Sequence, residues 1–555
     1  MYQQLQTLSI SEQVEVITRH LVGINSINST DGEAAIVEEI HRLLYTFPYF
    51  QRYADHLWIQ NVKGDPTGRK NLFAFIEGSA QTKETVIYQA HIDTVGVEDF
   101  GLLKDQAFSP DALEDFFRSY EYNEELRQEA QSGDWLFGRG ALDMKSGAAV
   151  HIANLLYFSE HPEELNGNIL LVINGDEESE HKGITSALSE LKRIQNKYHL
   201  EYVLAINTDF TTPLYDGDVN KYVYTGTAGK MLPSFFIYGR EAHVGDTLAG
   251  IDPNFVAAKI TERIHNNYEL AETIPGEYVL PPTCLYQRDT KQQYTVQTAP
   301  SSQLYFNYFL FEATPEEALD QLLTETKIVC SETEEYMQKQ FQAFVEKTGY
   351  PTRDLSWEIE VTTYHAFISY LEDKGIDTRA AIDRVLSESQ TSELRELNFE
   401  IVSALQELDP NKKARVILFV APPFLPHNYL KEESLRDQHI KKSIESVIEA
   451  VGEETGETFA VKKFFPYLAD GSFLSSHETE EQLMPLLENM PEWEKLYNVP
   501  FATIKEFNLP SINMGVYGKD GHKWTERVYK PYSFETLPKL VRQTTTHLLN
   551  EFCTV

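Results

Sequence analysis

The sequence has few cysteines, a shortage of basic residues relative to acidic ones, and no long apolar run. Only Cys284, Cys330 and Cys553 occur among 555 residues, far apart and without CxxC spacing, which argues against a disulfide framework or a thiolate zinc site. Lys plus Arg number 48 against 85 Asp plus Glu, giving a formal net charge of −37. Such a charge repels phosphate backbones and anionic lipid headgroups.

No stretch reaches the roughly 18 apolar residues of a membrane span, and the N-terminus lacks a basic segment followed by an apolar one. The composition predicts a cytoplasmic protein that binds neither nucleic acid nor membrane.

The length of the chain and its changing pattern predict two domains, because single cores stop growing near roughly 250–300 residues. Up to about residue 225, short β-branched runs alternate with amphipathic segments, and this alternation returns after residue 428. We therefore predict an α/β fold: a discontinuous first domain of residues 1–224 and 429–555, with a mainly parallel sheet flanked by helices. Residues 225–428 are predicted to form an inserted second domain of the α+β type. The acidic, aromatic-rich stretch 99–137 is predicted to be partly helical and to rim the cleft.

Polar side chains follow three of the apolar runs in the first domain: His91 and Asp93, Glu177 and Glu178, and Asp209. In open parallel sheets, ligands bind outside the carboxyl ends of the strands. We therefore expect these groups to converge, although the sequence separates them.

His91 closes the run TVIYQA, and Asp93 follows two residues later. Both side chains lie on one face if the strand continues through them. The Asp93 carboxylate can then accept the imidazole N–H and leave the other nitrogen free for a metal. The alternative is a packed or surface histidine, which is our interpretation of His151, His161, His181 and His199.

Asp143 lies in GRGALDMKSG, just ahead of an apolar helix. One interpretation is an aspartate that caps this helix. The other is a metal ligand, because three glycines give the backbone freedom to pack around an ionic site. Both interpretations remain open at this point.

Glu177 and Glu178 end a strand that reads ILLVINGD. They form either a solvated acidic turn or, at a metal site, one ligand and one base that takes a proton from water. Asp209 closes VLAINT and offers a further oxygen of the same kind.

Two more histidines follow glycine-containing segments. His243, in GREAHVG, is either a turn histidine near a helix start or a donor that stabilises an oxyanion. His522, in YGKDGHKWTERV, follows a short strand and a glycine-rich loop, which is a placement like that of the other candidate ligands.

Taken together and in this order, the motifs resemble the M20 family of metallopeptidases, a class of aminoacylases, deacetylases, desuccinylases, dipeptidases and carboxypeptidases. The matching stretches cover both halves of the first domain and the start of the insert: QAHIDTV, GRGALDMKSG, INGDEESE, the Asp209 strand, GREAHVGDTLAG, LADGSF and HKWTERV.

The resemblance implies a pair of metal ions. His91 and Asp209 would hold one ion, Glu178 and His522 the other, and Asp143 would bridge them. Imidazole and carboxylate ligands suit zinc, with cobalt and manganese as alternatives.

The resemblance also implies roles for three further residues. Glu177 would be the catalytic base, and Asp93 the carboxylate behind His91. His243 would be the lid histidine that approaches the cleft, often from a partner subunit in this family. A homodimer and a self-contained monomer both remain open.

Within the family, the length, the stretch after Asp93 and the enlarged lid are most similar to the RocB-type branch, which is named for an association with arginine utilisation. One feature departs from the family pattern. The lid of the family usually carries an Asn-Val-Ile-Pro-like turn and a strand ending in an arginine that grips the substrate carboxylate. The corresponding stretch here, TVQTAPSSQLYFNYFLF, contains no arginine.

Two functions follow as hypotheses. The first is a metal-dependent hydrolase that cleaves an amide or peptide bond in a small acylated amino acid or short peptide, in arginine catabolism. The second is a catalytically inactive metal-binding scaffold or regulatory homologue. A complete ligand set plus a base favours the first.

Overall fold

The computed structural model describes residues 1–467 and 469–552. Cys553 and Leu468, the first residue of the LADGSF motif, lie outside the described residues. Two compact units form, each described by itself below. Unit 1 comprises Met1–Ala228, His427–Ser476 and Pro500–Val555, and unit 2 comprises Gly229–Pro426 and His477–Val499.

The strands, in chain order, are β1 Leu57–Asn61, β2 Lys70–Glu77, β3 Glu84–His91, β4 Trp135–Phe137, β5 Asn168–Asn174, β6 Glu201–Asn207, β7 Lys221–Tyr224, β8 Gly226–Thr227, β9 Gly229–Tyr238, β10 Thr283–Asp289, β11 Ser301–Leu310, β12 Glu360–Thr363, β13 Arg415–Leu425, β14 Asn428–Tyr429, β15 Phe459–Lys462, β16 Ser511–Met514, β17 Gly518–Lys519 and β18 Arg527–Tyr529.

The α-helices, in the same order, are α1 Tyr2–Leu5, α2 Ile10–Val22, α3 Gly32–Tyr45, α4 Pro48–Arg52, α5 Pro110–Arg118, α6 Glu124–Ser132, α7 Ser146–Glu160, α8 Lys182–Tyr198, α9 Pro253–Ile264, α10 Pro315–Thr348, α11 Tyr364–Asp373, α12 Thr378–Glu388, α13 Leu394–Glu407, α14 Leu435–Thr455, α15 Glu480–Glu488, α16 Phe501–Phe507 and α17 Leu537–Phe552. None of these described helices is both long and apolar enough to cross a membrane.

Unit 1 is built on an eight-stranded sheet with the order β1-β2-β5-β3-β6-β16-β7-β15. Its centre is parallel, since β3 pairs in parallel with β5 and β6, and β6 with β16. The central strands are almost wholly buried apolar runs, as expected for parallel strands covered on both faces. The core between sheet and helices includes Val14 of α2, Val150 of α7 and Leu540 of α17. The predicted α/β class is confirmed.

The stretch 99–137 contains two short helices, α5 and α6, as the sequence predicted. They pack around a small aromatic core that includes Phe100, Phe117 and Phe137. Strand β4, at the end of this stretch, joins β18 and β17 in a three-stranded sheet of unit 1.

Unit 2 is built on a five-stranded sheet with the order β10-β11-β9-β13-β12. The long helix α10 begins at a capping box formed by Thr314 and Glu317 and ends at Gly349, which has φ of 68°. Cys284 and Cys330 of this unit are free thiols.

The insert was predicted as 225–428, and its first segment in the structure is Gly229–Pro426. The prediction was wrong for His477–Val499, which it placed in the first domain. This segment belongs to unit 2, because its Asn489 binds other parts of that unit. The Asn489 carbonyl accepts the Val420 N–H at 2.8 Å, and its side chain accepts the His365 N–H at 3.0 Å.

Candidate metal centre

The candidate site of unit 1 lies where three parallel strands end side by side. In the sheet register, His91 of β3 lies opposite Asn174, the last residue of β5, and Gln89 lies opposite Asn207, the last residue of β6. The polar residues that follow these strands therefore emerge at one edge of the sheet, as predicted.

The Asp143 carboxylate lies between two imidazoles. Its Oδ1 is 3.0 Å from Nε2 of His91, and its Oδ2 is 2.9 Å from Nε2 of His522. Each oxygen of one carboxylate thus faces a different ring. A carboxylate placed in this way could bind one cation through each oxygen.

Two groups of potential ligand atoms share Asp143. The first is His91, Asp143 and Asp209, and the second is Asp143, Glu178 and His522; within each group the ligand atoms lie within 4.8 Å of one another. The structure therefore brings together all five residues that the sequence analysis proposed as metal ligands. A third group, His161, Glu163 and Glu164, is largely exposed and has no counterpart in that analysis.

The centre carries more buried negative charge than its imidazoles neutralise. Burial raises the pKa of Asp209 well above its usual value, and the nearby Asp143 carboxylate raises it further. Burial and Asp143 also raise the pKa of Glu178. Partial burial alone would lower the pKa of His522, but hydrogen bonds to Asp143 and Glu178 outweigh it and raise the pKa to about 12. Carboxylates in this state favour a bound cation, and the mixed oxygen and nitrogen donors fit divalent ions such as zinc.

Asp143 does not cap the helix that follows it. The N-cap of α7 is Lys145, and no side chain makes the capping hydrogen bond. The capping interpretation of Asp143 is therefore wrong. The prediction that glycines near Asp143 allow close packing of the backbone is met at Gly147, where a Cβ atom would lie 2.4 Å from the Thr208 carbonyl oxygen.

Glu177 lies beside the ligand groups without belonging to either. Its Oε2 is 3.9 Å from Nε2 of His91, and its buried Oε1 has no hydrogen-bond partner among the residues that the structure describes. Burial raises its pKa well above the usual value; His91 lowers it in part, and Glu178 raises it. A carboxylate with a raised pKa and a free oxygen can accept and return a proton.

Asp93 lies behind His91 and also holds the turn that carries Glu177. Its Oδ1 is 3.4 Å from Nδ1 of His91. Its two oxygens accept the backbone N–H groups of Glu177 at 3.2 Å and Glu178 at 3.1 Å. Burial alone would raise the pKa of Asp93, but the adjacent His91 imidazole outweighs it and lowers that pKa.

Glu526 is a residue of the site that the sequence analysis missed. Its Oε1 accepts the N–H groups of Leu142 at 3.0 Å and Asp143 at 3.2 Å, and its Oε2 pairs with Arg139 at 2.7 Å. Burial raises its pKa to about 7, although Arg139 opposes the rise. The sequence signal for this residue is its position in the motif HKWTERV, four residues after His522.

His243 belongs to unit 2, where it is exposed and precedes the turn Val244–Ala249. Its Nδ1 accepts the N–H of Gly245 at 3.0 Å, which is the geometry of a turn histidine. Its role at the reaction centre stays a prediction.

Comparisons with known proteins agree with the motifs. The family described as Peptidase family M20/M25/M40 matches residues 87–477. Protein RocB of Bacillus subtilis is 51% identical over 551 residues, 99% of this chain and 97% of that protein. The uncharacterized protein YqjN of the same organism is 31% identical over 545 residues, 97% of each chain.

Among solved structures, an M20 family metallo-carboxypeptidase from Sulfolobus solfataricus has a TM-score of 0.52 at 12% identity, covering 96% of this chain and 99% of its own. At this identity the likeness concerns the fold. The family match spans most of the chain and includes four of the five candidate ligands, and the similarity to RocB is nearly full-length. The chain therefore belongs to peptidase family M20/M25/M40, is a hydrolase of that family, and is similar to RocB over nearly its whole length.

Proposed function

We propose that the chain is a dinuclear metal-dependent amidohydrolase that cleaves an amide or peptide bond in a small acylated amino acid or short peptide. The observation that carries this proposal is the placement of Asp143 between His91 and His522, with Glu177 beside His91.

The proposed ligand assignment follows the two groups of side chains. His91 and Asp209 would hold one ion, Glu178 and His522 the other, and Asp143 would bridge them. Zinc suits the donor set, and cobalt or manganese are the alternatives to be tested. When bound, such a pair polarises the amide carbonyl and makes water more acidic.

In this proposal Glu177 accepts a proton from the attacking water at a carboxylate oxygen. The water oxygen then bonds to the carbonyl carbon, and the carbon–nitrogen bond breaks. Glu177 returns the proton to the departing nitrogen, which leaves as an amine. The buried environment that raises the pKa of Glu177 suits a group that must both take up and release a proton.

The substrate proposal rests on similarity and on the lid sequence. The similarity to Protein RocB supports a role in arginine catabolism. Strand β11, Ser301–Leu310, carries no arginine, so the usual grip on a substrate carboxylate is replaced or absent. We therefore propose acylated or peptide-linked arginine and ornithine derivatives as the first substrates to test.

The test compares wild-type protein with Glu177→Ala and Glu177→Gln. Metal content is measured by mass spectrometry, and turnover is measured on N-acyl amino acids and dipeptides with zinc or manganese. Both variants should keep the metals and lose turnover by at least about 10²-fold. Unchanged turnover would remove Glu177 as the base. Two bound metals with no turnover of any substrate would support the inactive-scaffold alternative.

A further inference from the structure

We propose that Arg69 is a positioning residue that holds the turn bearing Glu177 and Glu178 from behind, and so sets the geometry of the metal centre. This inference rests on the proposed function, and its test includes a readout that is independent of turnover. The family match begins at residue 87, so Arg69 and four residues of its network lie outside it: Asn28, Ser29, Glu33 and Asp65.

Arg69 is a buried cation shared by three buried carboxylates. It precedes β2 and is 4% exposed. Its Nε is 2.9 Å from Oε2 of Glu33, its Nη1 2.6 Å from Oδ2 of Asp65, and its Nη2 3.0 Å from Oδ1 of Asp176. A planar guanidinium presents donors on three nitrogens in a fixed geometry, whereas the three donors of an ammonium lie on a single nitrogen.

Asp176 connects Arg69 to the proposed base, because it pairs with Arg69 and directly precedes Glu177 in the chain. Its backbone is in the left-handed region with φ of 68°, which aspartate adopts more often than most non-glycine residues and which local hydrogen bonds stabilise. The Asp176 N–H donates to Oε1 of Glu33 at 3.0 Å, and its Oδ2 accepts the Lys182 N–H at 2.9 Å. The two ends of the turn are therefore tied to the Arg69 network.

Asn28 forms a second link between the same network and the site. Its Nδ2 donates to Oδ2 of Asp93 at 2.9 Å and lies 3.3 Å from Oδ1 of Asp176. Ser29 connects it to Arg69: the Ser29 hydroxyl donates to Oδ1 of Asn28 at 2.8 Å and accepts from Nη2 of Arg69 at 3.1 Å.

The two links converge on the backbone of the proposed base and ligand. Asp176 lies next to Glu177 in the chain, and Asp93 accepts the N–H groups of both Glu177 and Glu178. Loss of Arg69 would leave Glu33, Asp65 and Asp176 without their shared cation, and their repulsion would displace the turn. A shift of the turn changes the Glu178 ligand position as well as the base, so metal affinity should report it.

The experiment compares Arg69→Lys and Asn28→Ala with Arg415→Lys in the full-length protein. Arg415 is a matched control, since it is fully buried and pairs with Asp409 at 3.0 Å and Glu360 at 3.1 Å in unit 2. Zinc and manganese affinities are measured by calorimetry, thermal stability by the melting temperature, and kcat and KM on any substrate that wild type turns over.

We expect Arg69→Lys to weaken metal affinity by about 10- to 100-fold, the usual effect of changing groups that orient metal ligands. The variant should lower kcat with little change in KM. Asn28→Ala should act in the same direction with a smaller effect. Arg415→Lys should lower the melting temperature and leave metal affinity unchanged.

Wild-type metal affinity in a folded Arg69→Lys protein would overturn the proposal, as would an equal loss in Arg415→Lys. If Arg69→Lys does not fold, Asn28→Ala decides the question, and wild-type affinity and kcat in that variant would count against the proposal. If wild type turns over no substrate, the proposed function fails, while the metal affinities still test the positioning role.

Discussion

Glu526 accepts a hydrogen bond from the backbone N–H of Asp143 at 3.2 Å, although the two residues are 383 positions apart. The same carboxyl group accepts the Leu142 N–H and pairs with Arg139. The backbone of the proposed bridging ligand is thus held by a residue four positions after His522. The C-terminal part of the chain therefore contributes both a proposed ligand, His522, and the support for another proposed ligand, Asp143.

Replacement of Glu526 by Gln should weaken metal binding by about tenfold, because a neutral amide cannot keep both backbone acceptor bonds and the Arg139 ion pair. Calorimetric titration with zinc measures the effect. Asp409→Asn is the matched control, since Asp409 is a buried carboxylate paired with Arg415 in unit 2. Equal losses of metal affinity in both variants would argue against a specific role for Glu526.

Substitution of single ligands should change the number of bound ions in a defined way. His91→Ala and His522→Ala should each lose one ion, because they belong to different ligand groups, whereas Asp143→Ala should lose both. Metal analysis after dialysis gives the stoichiometry. His161→Ala is the control, since His161 lies in an exposed group of potential ligands that we do not assign as a site. Loss of both ions in His91→Ala and His522→Ala alike would contradict the two-group assignment.

The metal-free protein should lose stability as the pH rises from about 5 to 8. Glu177, Glu178 and Asp209 have raised pKa values in the folded protein, so the folded state binds more protons than the unfolded state above about pH 4.5. The contribution of a carboxyl group with a raised pKa is therefore lost as the pH rises through its folded value. His522, whose pKa is also raised, acts in the same direction with a smaller effect, because its side chain is 48% exposed and solvent screens its charge.

Asp143 and Asp93 have lowered pKa values, and their stabilisation is lost only at lower pH, as it falls through their folded values. Each unit of pKa shift corresponds to about 1.4 kcal/mol. The melting temperature of the metal-free protein should therefore fall by several degrees as the pH rises from about 5 to 8. Saturating zinc should reduce the slope, because the cation replaces the protons. Equal slopes with and without metal would contradict a metal site at these carboxylates.

Much of the site could be predicted because its residues follow parallel strands. His91 and Asp209 come after apolar runs, and parallel strands with matched register bring their carboxyl ends to one edge of the sheet. That rule depends on hydrogen-bond geometry and on the buried apolar pattern, both of which are readable locally. The role of Asp143 could not be decided in the same way, since a cap and a ligand have the same sequence signal.

The sequence by itself determined the α/β class, the strand ends that carry candidate ligands, and the family, because periodicity and motifs are local properties of the chain. Only the tertiary structure decided that Lys145 rather than Asp143 is the N-cap of α7, and that His477–Val499 belongs to unit 2. It alone assigned Glu526 and Arg69 to the support of the site. These contacts join side chains to backbone groups or carboxylates far away in the sequence, and no periodic pattern encodes such pairings.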